Sequence, residues 1–237
     1  MNERSPLLFG STRPAVHLAQ YNIAKLRHPV GHPATEGFVE LIDDTNAHAE
    51  ASPGFVWRHG IDSRDTDDAP YDDPLITVNA SVWESIAQLR EFAYRGFHRD
   101  VYRRRQEWMV DSAAVMWWIP TGTTPTLQAC MARLAFHDRH GPTPYAFEIG
   151  QQQPVLAIAD DGPTALQMWL DDRAIGRAAW RLQVTDAHLT HFAVDDSSAE
   201  LGAALQDAVE VTLRDRAITT LHMADGTARA LGPIRRR

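Results

Sequence analysis

The chain has 237 residues, a formal net charge of −8 and 44% hydrophobic residues. This length fits one large domain or two small ones, and the apolar fraction is sufficient for a packed core, which excludes global disorder. The acidic balance lacks the basic field that drives nucleic-acid binding, and no apolar run reaches the roughly 20 residues that a membrane-spanning helix needs. We therefore expect neither a nucleic-acid partner nor a membrane partner.

Cysteine usage and the N-terminal segment indicate the compartment. Cys130 is the single cysteine of the chain, so it cannot form an internal disulfide. The N-terminal residues lack the apolar stretch of a secretory signal. We expect a cytoplasmic protein.

Strands and helices alternate in the first part of the chain. Alternation of apolar residues predicts strands at 16–26, 55–61, 75–83 and 113–119. A helix capped by Thr35 follows the first strand, a helix capped by Ser85 follows the third, and another begins after Thr124-Pro125. Gly96 interrupts the second of these helices and predicts a kink or a break there. Asp-rich residues 62–74 predict a solvated loop.

This order of elements predicts an α+β protein. Strand, helix, strand, strand, helix, strand is the ferredoxin-like βαββαβ arrangement, in which an antiparallel sheet carries both helices on one face. The other face of the sheet would be uncovered in a single chain. Folds of this kind commonly bury that face against a second copy, so we expect a homodimer.

A change of pattern divides the chain into two units. Pro and Gly residues between 141 and 154 predict a boundary. Short strands are predicted after it at 155–159, 165–170, 175–184, 189–194 and 219–223, with a helix at 199–216. We therefore predict a ferredoxin-like domain at 15–149 and a smaller β-rich α+β domain at 153–234.

The first unit carries the residues of a known family in a consistent order. They are Asn22-Ile23-Ala24, Asn46, Ser52-Pro53-Gly54-Phe55-Val56-Trp57-Arg58, Val78-Asn79, Ser81-Val82-Trp83, Tyr94, His98, Arg105, Trp108, Trp117-Trp118, Pro120, His140-Gly141-Pro142-Thr143-Pro144 and Phe147. On these residues the chain resembles an uncharacterised bacterial family, a domain of unknown function in the dimeric α/β-barrel superfamily that also contains the antibiotic biosynthesis monooxygenases. The resemblance implies a dimeric barrel. It does not specify the reaction, because the superfamily spans monooxygenases, haem enzymes, isomerases and lyases.

The second unit, at about 155–225, looks like a shortened acetyl-coenzyme-A-dependent N-acetyltransferase. The resemblance lies in residues 175–180, in residues 189–194 and in Leu201-Gly202-Ala203-Ala204-Leu205, which opens a helix. In that superfamily a Gly-rich loop before the helix holds the cofactor pyrophosphate. Residues 195–200 lack the Arg and the first Gly of that loop and carry three carboxylates, which would repel a pyrophosphate. A degenerate, non-catalytic copy is therefore expected.

His98 is the strongest candidate for a catalytic residue. Tyr94 and Tyr102 lie four residues before and after it, on the same face of a helix. A neutral imidazole there could act as a general base or orient a phenol-like substrate, with Tyr94 as its catalytic neighbour. The structural alternative is a histidine hydrogen-bonded within the interface between helix and sheet.

Strand alternation sorts the candidate ligand-binding residues. Neighbouring residues of a strand face opposite sides of the sheet, so one of Trp57 and Arg58, and one of Trp117 and Trp118, faces the helices. The candidates for a substrate-binding cavity are Asn22, Trp57, Arg58, Asn79 and Trp117. For each Trp, ordinary core packing is the alternative.

No pattern of a metal or nucleotide cofactor is recognised. The histidines lack a nearby set of cysteine or carboxylate ligands, and no phosphate-binding loop is present, so we expect neither a metal nor a cofactor. One hypothesis is an enzyme of monooxygenase-like or isomerase-like chemistry on a small apolar or aromatic molecule. The other is a non-catalytic ligand-binding or scaffolding protein with an inactive acetyltransferase-like domain. The sequence does not decide between them.

Overall fold

A four-stranded sheet and a six-stranded sheet organise the protein, whose computed structural model describes residues 12–60, 71–151, 153–195 and 198–232. The strands of the first sheet are β1 Val16–Leu26, β2 Phe55–Arg58, β3 Ile76–Trp83 and β4 Met109–Pro120. The helices that accompany it are α1 Glu36–Glu50, α2 Ile86–Tyr94, α3 Gly96–Arg104 and α4 Leu127–His140, with short 3-10 helices at Pro33–Thr35 and Arg105–Glu107.

The second sheet follows α4. Its strands are β5 Leu156–Asp160, β6 Ala165–Leu170, β7 Arg173–Gln183, β8 Asp186–Val194, β9 Thr220–His222 and β10 Ala228–Ala230, and α5 Ala199–Asp215 lies between β8 and β9. Neighbouring strands are antiparallel except β8 and β9, which pair in parallel. Among the helices in the described ranges, none is long and apolar enough to cross a membrane.

The first sheet confirms the βαββαβ order and the α+β class. Its strands lie in the order β2-β3-β1-β4, and all of its neighbouring pairs are antiparallel. This is the strand order of a ferredoxin-like sheet. Residues 62–70 of the predicted Asp-rich loop, and residue 61 at the end of the strand predicted before it, lie outside the described residues. At the described end of that segment Asp72 and Pro74 are exposed as predicted, but Tyr71 is buried and accepts a hydrogen bond from the Tyr21 hydroxyl at 3.2 Å.

One of the two predicted helix caps, Ser85, makes its capping hydrogen bond, and the other, Thr35, does not. Ser85 caps α2 as expected, since its side chain accepts a hydrogen bond from the Gln88 backbone N–H at 3.3 Å. Thr35 occupies the N-cap position of α1 but makes no capping bond. Its hydroxyl instead donates to the His28 carbonyl at 3.2 Å, so Thr35 ties the preceding loop to the helix.

Gly96 breaks the predicted second helix into α2 and α3. Arg95 is extended, with φ −127° and ψ 162°, and Gly96 follows with a φ of +56°. A side chain with a Cβ atom is strained at that φ, which explains why glycine stands at the break.

Replacing Gly96 with alanine is expected to destabilise the protein by about 1–2 kcal/mol. Gly202→Ala is the matched control, because Gly202 lies within α5 and a Cβ there would meet nothing within 4 Å. The control is expected to stabilise by up to about 1 kcal/mol through helix propensity. Urea denaturation measures both, and equal effects of the two substitutions would contradict the strain at Gly96.

The sheet face away from α1 and α2 is covered within the chain, contrary to the expectation that it is left open. Tyr21, Val82 and Val115 on this face are fully buried, and Trp117 is 2% exposed. They share one hydrophobic core with Cys130, Met131 and Leu134 of α4 and with the second sheet. The α4 helix and the rest of the chain therefore cover the surface that a second copy was expected to cover. The homodimer stays a prediction, but an uncovered face of the sheet no longer supports it.

A half-buried arginine joins the two parts of the chain. Arg133 of α4 donates a hydrogen bond to the Tyr145 carbonyl at 2.7 Å, and its guanidinium carbon lies 3.3 Å from the centroid of the Tyr145 ring and 5.3 Å from that of Trp117. The Tyr145 hydroxyl donates to Asp207 of α5 at 3.1 Å. Burial lowers the pKa of Arg133 and raises the pKa of Asp207. This cluster links α4 to α5 and was not predicted.

Candidate functional site

A cavity of about 760 Å³ lies between the first sheet and helices α1, α2 and α3. Its floor is made by every second residue of the strands, because successive side chains of a strand point to opposite faces. The polar floor residues of β1 and β3 are Gln20, Asn22, Thr77, Asn79 and Ser81. The apolar residues of the walls include Phe38, Leu41, Ile42, Phe55, Leu89, Phe92, Val101 and Trp108, and the charged residues Arg58, Arg105, Asp138 and Glu148 also line the cavity. A cavity that combines apolar wall residues with grouped polar side chains is typical of a small-molecule site.

His98 lines this cavity with a defined tautomer. Its Nδ1 atom lies 3.0 Å from the Ala93 carbonyl oxygen, which can only accept a hydrogen bond, so Nδ1 carries the proton. Nε2 is then the nitrogen that is free to accept a proton. Burial lowers the pKa of His98 and outweighs the Ala93 hydrogen bond, which raises it, while nearby His48 lowers the pKa further, so the imidazole is neutral at neutral pH. The Phe92 ring, with its centroid 4.4 Å from that of His98, also holds the imidazole in place.

Tyr94 and Tyr102 also line the cavity, close to solvent. The break at Gly96 places Tyr94 on α2 and places His98 and Tyr102 on α3, so the three do not share one helix as predicted. The two tyrosine rings nevertheless meet edge to face with centroids 6.4 Å apart, and each side chain is about two-fifths exposed. Partial burial and the neighbouring Tyr102 raise the pKa of Tyr94, so its phenol stays protonated.

Asn22 and Asn79 lie directly opposite each other in the floor. They are paired residues of the antiparallel strands β1 and β3, and side chains at such positions are about 5 Å apart at Cβ. The structure thus brings together two of the predicted ligand-binding residues.

Arg58 lines the cavity as well, but its charge is partly compensated. Its Nε donates to the Glu50 carboxylate at 2.6 Å, which joins β2 to α1. A ligand anion at Arg58 would compete with Glu50, so the arrangement favours uncharged ligands at this position.

Trp57 and Trp117 lie on the other face of the sheet, which contradicts their prediction as cavity residues. Trp117 belongs to the core shared with α4, and Trp57 packs against the same core. Trp57 pairs with Val82, a residue of the rear face, whereas Arg58 pairs with Ser81 of the cavity floor. Neither tryptophan lines the cavity, and both take the alternative role of core packing.

Gln20, Ser81 and Trp83 are among the site residues that the sequence reasoning missed. Gln20 and Ser81 stand two residues from Asn22 and Asn79 on the same strands, so strand alternation could have found them. Trp83 is fully buried at the end of the floor, and its indole Nε1 donates to the Ser81 hydroxyl at 3.0 Å. Within the described ranges, no group of three His, Cys, Asp or Glu side chains is arranged to hold a metal ion.

Comparisons with known proteins identify a family without a known activity. The sequence profile described as "Domain of unknown function (DUF3291)" matches residues 17–161, which extends past the predicted boundary and includes β5. No curated protein matches the sequence. The comparisons give no support to the acetyltransferase resemblance of the second unit, whose loop residues 196 and 197 also lie outside the described residues.

Several solved structures are similar to part of the chain. The cofactor-independent oxygenase SnoaB from Streptomyces nogalater is 18% identical, and the match covers 48% of this chain and 98% of SnoaB with a TM-score of 0.34. NE2512, of unknown function, from Nitrosomonas europaea is 7% identical over 47% of this chain and 97% of its own, with a TM-score of 0.35. PA3566 from Pseudomonas aeruginosa is 11% identical over 44% and 93% respectively, with a TM-score of 0.34. TM-scores of this size are too low to carry a reaction over to this chain.

Proposed function

The chain belongs to the DUF3291 family of domains of unknown function, and on this premise we propose that its cavity binds a small apolar or aromatic molecule on which His98 acts as a general base. The apolar wall residues favour a ring system or a hydrocarbon chain, and the amides of Asn22 and Asn79 supply polar anchors. No bound cofactor takes part in the proposed reaction.

The observation that carries the proposal is the oriented, neutral imidazole of His98. The Ala93 carbonyl holds the proton on Nδ1, and burial keeps the ring uncharged. A general base needs an unprotonated nitrogen at the working pH and a fixed position beside its substrate. Nε2 of His98 meets the first requirement, and the contacts with Ala93 and Phe92 supply the second.

Proton removal is the first step of the two reaction types that we consider. Loss of a proton from a carbon next to a carbonyl group produces an enolate, and Nε2 receives the proton. Return of that proton at another atom completes an isomerisation. Reaction of the enolate with O₂ followed by protonation forms a hydroperoxide, in which the substrate is oxidised and O₂ is reduced. Both paths need only the substrate, the base and, for the second, O₂.

Binding is tested with 2-tetralone, a two-ring ketone that carries an acidic CH₂ group. Trp83 and Trp108 line the cavity, so ligand binding is expected to quench their fluorescence in a saturable manner. Ala114→Phe places a ring in the cavity and is expected to weaken binding by about tenfold or more, which is the loss of about 1.4 kcal/mol of binding free energy.

Val110→Phe is the matched control for this experiment. Val110 lies on the same strand as Ala114, is 54% exposed and does not line the cavity, so binding should be unchanged. Absence of saturable quenching in the wild type, or equal affinity of the Ala114→Phe variant, would contradict the proposed site. Binding of 2-tetralone without catalysed exchange of its acidic CH₂ protons would favour a non-catalytic binding protein.

A further inference from the structure

We infer that the cavity selects ligands that present a hydrogen-bond acceptor oxygen, as a ketone or enolate does, to the side chain of Asn22. A chain of hydrogen bonds through Trp83, Ser81, Gln20 and Asn22 sets which end of the Asn22 amide faces the ligand. The inference rests on the proposed function and names the chemistry of its ligand.

The chain begins at a group that can only donate. The indole Nε1–H of Trp83 is a donor with no acceptor capacity, and the Trp83 side chain is fully buried. Its acceptor is the Ser81 hydroxyl oxygen at 3.0 Å. The Ser81 hydroxyl proton is therefore directed elsewhere, and it is donated to Oε1 of Gln20 at 2.9 Å.

The direction of hydrogen-bond donation is the same from Gln20 to Asn22. Since Oε1 of Gln20 faces Ser81, its Nε2 faces Asn22 and donates to Oδ1 of that residue at 2.7 Å. The opposite orientation of the Gln20 amide would put an N–H group against Ser81. The Ser81 hydroxyl proton, on a residue that is 6% exposed, would then lose its acceptor, and an unpaired buried polar group is penalised.

Asn22 can therefore donate the two protons of its Nδ2 atom to a ligand. Its Oδ1 accepts from Gln20, and within the described parts of the chain its Nδ2 contacts no acceptor. Asn22 lines the cavity, as does Asn79 directly across the strand pair. A carbonyl oxygen placed there would accept from Nδ2 of Asn22. Such a donor also stabilises the negative charge that develops on that oxygen when a neighbouring proton is removed.

The test compares 2-tetralone with tetralin, the hydrocarbon of the same shape that lacks the oxygen. The wild type is expected to bind the ketone about tenfold more tightly than tetralin, which is the size of one hydrogen bond to a neutral group. Asn22→Asp keeps the shape and the bond from Gln20 but replaces the N–H donors with an acceptor. At about pH 8 this variant is expected to lose the preference for the ketone and to retain the affinity for tetralin.

Ser81 is tested as a positioning residue. Ser81→Ala removes the group that sets the polarity of the chain, so the ratio of ketone affinity to tetralin affinity should fall. Ser81→Thr keeps the hydroxyl group and should restore the ratio. A residue that only supported packing would change both affinities together and leave the ratio as it is.

The outcomes separate the two proposals. If neither probe binds to the wild type, the proposed function fails and this inference falls with it. If both probes bind and Asn22→Asp leaves their affinity ratio unchanged, the cavity stands as a binding site and the selectivity assigned to Asn22 is overturned.

Discussion

His98→Ala is expected to slow the exchange of the acidic CH₂ protons of bound 2-tetralone by about 10²–10⁴-fold, the usual contribution of a general base. The reason is the loss of Nε2, the unprotonated nitrogen whose tautomer is set by the bond between Nδ1 and the Ala93 carbonyl. Proton NMR in D₂O measures the exchange directly and requires no knowledge of the natural substrate. His98→Asn should be equally slow, since it keeps an N–H donor for Ala93 but has no basic nitrogen.

The pH profile of this exchange has a defined direction. Burial lowers the pKa of His98 below its ordinary value of 6.5, with a smaller contribution from His48 on α1, while Tyr94 and Tyr102 face the same cavity. The rate should therefore stay level through neutral pH and fall only as the pH drops through the lowered pKa. His48→Gln removes the repulsive neighbour, so the acid limb should move to higher pH while the plateau rate stays the same.

The same shift contributes to folding stability. Below pH 6.5 the unfolded chain takes up a proton at His98 that the folded protein does not yet bind. The contribution is thus fully present above pH 6.5 and is lost as the pH falls through the lowered pKa of the folded state.

An exchange rate in His98→Ala equal to that of the wild type would contradict the catalytic role, whatever the stability data show.

Trp117→Ala is expected to destabilise the protein by about 3–5 kcal/mol, the usual cost of truncating a large buried aromatic side chain. Trp117 is 2% exposed on the rear face of the first sheet, and its ring centroid lies 5.3 Å from the guanidinium carbon of Arg133. Truncation leaves a void between β4 and α4 and removes an aromatic neighbour of this cation. Urea denaturation measures the change in the free energy of unfolding.

Trp117→Phe separates packing from ligand binding. The phenyl ring keeps most of the apolar contact, so this variant should fold stably, and its affinity for 2-tetralone should equal that of the wild type. A stable Trp117→Phe protein with much weaker binding would mean that Trp117 contacts the ligand, as the sequence predicted. It would also contradict the position of the cavity on the opposite face.

Local patterns were sufficient for the order and bounds of most elements. Strand β1 begins and ends at the predicted residues 16 and 26, and α2 begins after Ser85 and ends just before the break at Gly96. These features depend on interactions within a few residues, such as the capping bond of Ser85 or the φ of glycine. The short strand β10 was not predicted, because its three exposed residues carry little hydrophobic pattern.

The sequence by itself therefore determined the βαββαβ order and, through strand alternation, which residues of a strand share a face of the sheet. It also selected His98, Asn22 and Asn79, which meet in one cavity. Tertiary structure alone decided which face of the sheet holds that cavity, since alternation separates the two faces without saying what covers either. It placed α4 over the face that a second copy was expected to cover, and so moved Trp57 and Trp117 into the core. It also decided the direction of the hydrogen bonds from Trp83 to Asn22. That direction depends on the register between β1 and β3, and on the buried indole N–H of Trp83, which donates to Ser81.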